Sequence, residues 1–285
     1  MTNTLKTSVL LAALGALMMA IGSAFGQGGL TIGFVLAVIT VGGSYWFSDK
    51  LALMSARAQP VTEPEMPQYY AIVRELTQRA GMPMPRLYVT PEMQPNAFAT
   101  GRNPNHAAVA VTQGILQALT WDELRGVLAH ELSHVRNRDI LIGSVAAAVA
   151  TVITFAARMA MFGAIFGGGG GGRDRNDNNP FVFLATIILA PVAAMLLQMA
   201  LSRSRELQAD ASGAKLIGDG EPLARALEKL NYYSQRVPSN VNPAQAQAYI
   251  VNPLTGRKMA FASLFSTHPP AEERIRRLRQ RAWAS

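Results

Sequence analysis

No cysteine occurs anywhere in the 285 residues, which excludes disulfides, thiolate nucleophiles and every zinc or iron-sulfur site that takes sulfur from cysteine. Any metal must be held by histidine and carboxylate. Histidine is scarce as well: His106, His130, His134 and His268 are the only four, so the spacing between any two of them is informative. Charged residues make up only 15% of the chain and apolar ones 49%, a balance that places part of the polypeptide in lipid. Acidic residues are the scarcer sign, 18 against 26 Lys and Arg, leaving a formal charge of +8. Such an excess suits nucleic acid or an anionic headgroup surface. No aromatic-basic motif accompanies it, so a lipid bilayer is the expected partner and nucleic acid is not.

Long apolar runs are what the chain does have. Thr7 to Phe25 is uncharged and apolar, and after Gly26-Gln27-Gly28-Gly29 a second run extends from Leu30 to Phe47. Each is long enough to cross a hydrocarbon core of about 30 Å as a helix. Lys6 and the small residues Ser23-Ala24 also allow the first to be read as a signal peptide, but the four-residue link favours a helical hairpin. A third run covers residues 140–166, broken only by Arg158, and a fourth covers 181–201 with Pro191 inside it, which spans tolerate. Gly167 to Gly172 and the polar segment through Asn179 form the connector between them. Neither connector carries net positive charge, whereas Lys6, Lys50, Arg57, Arg136, Arg138, Arg203 and Arg205 sit at the other ends of the spans. The positive-inside rule puts that side, with both termini, in the cytoplasm. Four domains in sequence follow: a hairpin over 1–48, a soluble part over 49–139, a second hairpin over 140–201, and a second soluble part over 202–285.

The first soluble part is punctuated by prolines at 60, 64, 67, 83, 85, 91, 95 and 104. Gln68 to Ala80 reads as an amphipathic helix closed by Gly81, and Leu87 to Val89 and His106 to Val111 read as strands. Thr120 opens a further helix with a capping box to Glu123, and Leu124, Val127, Leu128 and Leu132 supply its buried stripe. In the second soluble part, helices are expected over 202–217, 221–235 and 271–282.

The Thr120 helix carries His130-Glu131-Leu132-Ser133-His134, which fits H-E-x-x-H. Four-residue spacing puts both imidazoles on one helix face, suited to a single zinc ion, with Glu131 beside it as general base. Such a pentapeptide also arises by chance on a surface helix, so a third ligand is required. Ser204-Arg205-Glu206-Leu207-Gln208-Ala209-Asp210 offers one: Glu206 can bind zinc while Asp210, on the same face at i, i+4, accepts a hydrogen bond from the far nitrogen of a ligating histidine. An exposed charged helix face is the bland alternative for that pair.

Taken together, these motifs resemble the HtpX-type membrane metallopeptidases, relatives of the type I CAAX prenyl proteases. The likeness covers almost the whole chain: the paired N-terminal spans, Asn96-Ala97-Phe98-Ala99-Thr100-Gly101, His130 to Asp139, two further spans split by a Gly-rich polar loop, Ser202 to Glu206 through Ala209-Asp210, and Ser266-Thr267-His268-Pro269-Pro270 with Arg274-Ile275. The resemblance implies one Zn2+ per chain in a gluzincin-like site held by His130, His134 and Glu206, with Asp210 and Asp139 supporting the ligands. It further implies a mainly α protein with a small β component, in which four transmembrane helices carry a zincin-like α+β catalytic domain on the cytoplasmic side of the inner membrane. Its implied role is quality control, with damaged or misfolded membrane proteins as substrates and other quality-control proteins as partners.

Asn96, Ala97, Phe98 and Ala99 are then expected in an edge strand that receives an extended substrate peptide, although an ordinary loop with Phe98 in the core fits the residues alone. His268 and Arg274 are expected as donors to the oxyanion of the tetrahedral intermediate. Two other readings of the chain differ at Glu131. A CAAX-type prenyl-protein protease would use it in the same chemistry on another substrate, inside more spans than four; a non-enzymatic scaffold with structural zinc would not need it. The stretch from Val237 to Met259 matches no motif.

Overall fold

The computed structural model describes residues 26–138, 203–236, 250 and 269–284, together with a few positions between 12 and 23. The chain divides into two compact units, residues 1–44 with 142–198 and residues 45–141 with 199–285. Of the first unit, the described part is chiefly the opening of helix α1, Gly26–Ser55. Gly26 to Gly29, expected as a link between two spans, is the first turn of this helix. Glycine lowers helix propensity without forbidding the conformation, and the apolar run that follows carries the turn. Along α1, Ile32, Phe34, Val35, Val38 and Ile39 are exposed. Among the described residues no helix is long and apolar enough to cross a membrane. The expected spans over 140–166 and 181–201 lie outside the described residues, as does most of 7–25.

The second unit is built around a four-stranded sheet in the order β1-β2-β4-β3, with β1 at Gln59–Pro60, β2 at Arg86–Thr90, β3 at Ala97–Gly101 and β4 at Ala107–Thr112. β2 and β4 run parallel, with Leu87 opposite Val109, while β1 and β3 flank them antiparallel. Every residue of β4 is buried, as suits a central strand covered on both faces. Alternation sorts its side chains. Val109 and Val111 face the main core with Leu87, Leu124 and Val127. Ala108 and Ala110 face the other way, and their small size accommodates Leu53 of α1, Tyr88 and Phe98.

Helices cover the main-core face. Helix α2 spans Pro67–Ala80, with proline in its first turn and Gly81 closing it at φ 63, a left-handed position that costs glycine little. The short α3, Gln113–Ala118, follows β4 directly. Helix α4, Trp121–Asn137, opens with the capping box expected from the sequence: Glu123 N–H donates to Thr120 Oγ1 at 3.3 Å and Thr120 N–H donates to Glu123 Oε2 at 2.8 Å. Residues 203–217 form α5, Glu221–Arg236 form α6 and Ala271–Arg279 form α7. α4 lies among β3, α2, α5 and α6, so it is buried on nearly every side and not along one stripe alone. The fold is mainly helical with one small sheet.

Candidate metal centre

A helix packed on nearly every side buries some of its polar groups with its apolar ones. His130, Glu131 and Ser133 are buried in the middle of α4, with His134 half-buried one turn beyond His130. Ser133 donates to the Ala129 carbonyl at 2.8 Å and takes no part in the site. The two imidazoles meet edge to face with their centroids 4.8 Å apart, and their Nε2 atoms stand 3.2 Å from each other. α5 lies against this face because Gly213 allows it: a Cβ there would fall 2.9 Å from the His130 amide nitrogen. Glu206 and Asp210 share the Gly213 face of α5 at helical spacing, so that contact carries both carboxylates to the imidazoles. Glu206 places Oε2 3.5 Å from His130 Nε2 and Oε1 3.4 Å from His134 Nε2.

Those three separations test the site for a metal. Ligands 2.0–2.1 Å from one tetrahedral zinc ion lie about 3.4 Å from each other. Nitrogens 3.2 Å apart and carboxylate oxygens at 3.4 and 3.5 Å match that figure, and the ligand atoms of His130, His134 and Glu206 form one cluster. The donor set of two imidazoles and a carboxylate is the one zinc takes where a fourth position is kept for water.

Asp210 approaches His130 from behind, with Oδ1 2.9 Å from Nδ1. A carboxylate at that nitrogen keeps the proton on Nδ1 and leaves Nε2 to the metal. Burial opposes charge on Asp210, but the guanidinium of Arg274 outweighs it and holds the carboxyl down at about 2. Burial also pulls the His130 imidazole down, and the hydrogen bonds to Asp210 and Glu206 outweigh that and leave it raised. Glu131 is raised mainly by burial, against the opposing pull of both imidazoles. Its Oε2 accepts the Ala99 N–H at 3.0 Å, so the free side of strand β3 turns toward Glu131.

The other expected residues fall into three groups. Arg274 is not placed as an oxyanion donor. It is 1% exposed, donates from Nε and Nη2 to the two oxygens of Asp210 at 2.8 Å each, and donates from Nη1 to the Ile250 carbonyl at 2.7 Å. A buried guanidinium seeks the planar fork a carboxylate provides, and Asp210 provides it here. Around Asn96-Ala97-Phe98-Ala99 the strand is the outermost of the sheet among the described residues, as expected, but its side chains turn inward. Asn96 is buried with Oδ1 accepting the Ile250 N–H at 3.1 Å, Ala97 belongs to the main core, and Phe98 packs on the opposite face with Leu53. Only the backbone edge is presented. His268 and Asp139 lie outside the described residues.

Sequence reasoning missed Gly213, Ile250 and Tyr69. Gly213 continues the Glu206-Asp210 face by a further turn, a spacing legible once the pair is recognised. Ile250 acts through its backbone, which carries no signature of residue type. Tyr69 is fully buried, donates to the Val109 carbonyl at 3.1 Å, and has its phenol pushed well up by burial, with Tyr70 and Glu131 adding to it.

Two imidazoles and a carboxylate that could hold zinc, with the buried Glu131 beside them and a strand edge turned toward it, are the arrangement of a zinc metallopeptidase. The chain belongs to peptidase family M48, whose family pattern matches residues 65–282. Among curated relatives it is 56% identical over 282 residues to the "Protease HtpX homolog" of Syntrophobacter fumaroxidans, covering 98% of this chain and 99% of that one. It is 50% identical over 288 residues to the protein of the same name from Paraburkholderia phytofirmans, covering 99% and 98%. Among solved structures, the crystal structure of S. mikatae Ste24p matches with a TM-score of 0.56 at 21% identity, over 97% of this chain. The chain spans 65% of the length of that protein, and the likeness is one of fold.

Proposed function

We propose that this metalloprotease is an endopeptidase of the cytoplasmic membrane that cuts loops and tails of damaged or misfolded membrane proteins on the cytoplasmic side, its own termini included on that side. One observation carries the reading: the buried Glu131 carboxylate stands beside the His130-His134-Glu206 cluster and accepts a hydrogen bond from the β3 backbone, so base, metal ligands and strand edge share one place. The exposed apolar residues of α1 and the long uncharged runs of the sequence support the membrane setting, and the positive-inside balance supports the orientation.

In this mechanism a substrate segment adds to the outer edge of β3 in extended form, held by main-chain hydrogen bonds with little demand on its side chains. When bound, zinc supplies the Lewis acid that activates water and polarises the scissile carbonyl. Glu131 accepts the water's proton and delivers it to the departing amine nitrogen. Its burial, by raising the carboxyl, brings the proton affinity of the base closer to that of its partners. His130 and His134 ligate as neutral imidazoles through Nε2, and Asp210 fixes the tautomer of His130.

The test is cleavage of a helical membrane protein with long cytoplasmic loops by the detergent-purified chain and by chain reconstituted in vesicles. Wild type should lose activity to a chelator and regain it with zinc. Glu131→Gln should lose about 10²- to 10⁴-fold in kcat while binding zinc normally. Glu131→Gln with wild-type activity would refute the assignment of the base. Cleavage confined to loops facing the opposite compartment would refute the topology.

A further inference from the structure

Asn96 stands immediately before strand β3, and its side chain is buried within the protein. It is 3% exposed, its backbone is locked to Thr112 in both directions at 2.9 Å, and its Oδ1 accepts the N–H of Ile250 at 3.1 Å. Ile250, buried as well, hands the connection on through its carbonyl, which accepts from Arg274 Nη1 at 2.7 Å. Arg274 grips both oxygens of Asp210, and Asp210 Oδ1 stands 2.9 Å from His130 Nδ1. Five segments distant in sequence are thus joined in a polar line that ends on His130.

Burial makes each link of this line costly to lose. Two bonds from one guanidinium to one carboxylate define a plane but leave the pair free to tilt together as a body. A third bond to a fixed acceptor removes that freedom. Ile250 can be such an acceptor only if its own peptide unit is fixed, and the Asn96 carboxamide holds the other end of that residue. Every group along the line is out of water, so none has solvent to replace a lost partner, and a break leaves a buried donor or acceptor unsatisfied.

We propose that Asn96 is a positioning residue of the metal centre. Through Ile250 and Arg274 it holds Asp210 against His130, and its influence on turnover runs through the metal ligand and not through contact with the peptide. The inference rests on the zinc-peptidase reading, but its first readout, zinc affinity, does not require that any substrate be cleaved.

Asn96→Ala removes the acceptor, and Asn96→Asp restores an oxygen of the same shape at the same place. Arg274→Lys keeps the charge and loses the fork. Zinc affinity is measured by chelator competition on the full detergent-purified chain, alongside melting of the zinc-free protein and kcat and KM on a cleaved substrate. Asn96→Ala is expected to bind zinc about tenfold more weakly, at the low end of losses for groups that support metal ligands. Its kcat should fall with KM within twofold of wild type, and Asn96→Asp should lie closer to wild type than Asn96→Ala in zinc affinity. The double variant with Arg274→Lys should lose less than the two singles together, because both cut one line. A raised KM with unchanged zinc affinity in Asn96→Ala would overturn the proposal and make Asn96 a substrate contact. Additive zinc losses in the double variant would overturn it too. If Asn96→Ala does not fold, Asn96→Leu, which keeps the shape and removes the acceptor, combined with Arg274→Lys supplies the same cycle: zinc losses smaller than additive support the line, and additive losses overturn it.

Discussion

Gly213 gives the sharpest test of how the two halves of the site are brought together. An alanine Cβ at this position would lie 2.9 Å from the His130 nitrogen and 3.1 Å from both Ala129 C and His130 Cα. All three are backbone atoms of a helix buried on nearly every side, so the strain cannot be relieved by turning a side chain. Reaching ordinary contact at 3.4 Å requires α5 to retreat by about 0.5 Å. Overpacking of this kind costs about 1–3 kcal/mol, and the better helix propensity of alanine returns about 0.5–1 kcal/mol, so the net loss of stability is about 1 kcal/mol. Zinc is the more sensitive reporter. Its ligand distances tolerate about 0.2 Å, and a 0.5 Å retreat carries Glu206 and Asp210 away from the imidazoles together. Gly213→Ala is therefore expected to weaken zinc about 10- to 100-fold, read by chelator competition, while lowering the melting temperature of the zinc-free protein only slightly. Gly126→Ala is the control: its Cβ would strike the Leu223 amide nitrogen at 2.5 Å, which strains the packing of α4 on α6 away from the metal. It should cost more stability than Gly213→Ala and leave zinc affinity unchanged in the folded fraction. Wild-type zinc affinity in Gly213→Ala, or equal zinc loss in both variants, would refute the reasoning.

Other consequences follow from single contacts. Thr120→Ala breaks the capping box and should cost about 1 kcal/mol, seen in thermal unfolding with zinc affinity unaltered. Asp210, held at about 2 in the folded protein against an ordinary 3.8, binds protons more readily when unfolded. Its contribution to the stability of the zinc-free protein is thus full above pH 3.8 and lost as pH falls through 2; an Asp210→Asn protein should show a flatter acid limb in pH-dependent unfolding, and an unchanged limb would contradict the assignment. Ala99→Pro removes the N–H that Glu131 accepts at 3.0 Å, at an edge position where proline is tolerated. It should lower kcat by about tenfold, the order lost with one charge-assisted hydrogen bond, without loss of zinc.

How much of this was legible in the sequence depends on the range over which each feature is encoded. The α4 capping box, the Gly81 stop, the H-E-x-x-H spacing and the β2 strand are set within a few residues, and each stands in the structure close to its expected place. β1, only two residues long, and α3, six residues of ordinary composition, carry too little periodicity to register. Sheet order was not legible either, because β3 joins the outside of β4 by a pairing that local pattern does not encode. The pair Glu206 and Asp210 was visible as a helix face, but not what would balance it. Arg274 looked like a catalytic donor because an arginine beside a zinc site has many uses; only its burial against Asp210 shows which one applies. That burial also enters the charge balance of the site. Glu131, Glu206 and Asp210 are three buried carboxylates, and Arg274 is the buried cation that faces them. With imidazoles neutral, two negative charges remain out of water, a state that costs several kcal/mol per ion unless matched. A divalent cation among His130, His134 and Glu206 matches it. Without Arg274 the same cation would leave one net negative charge among these buried groups.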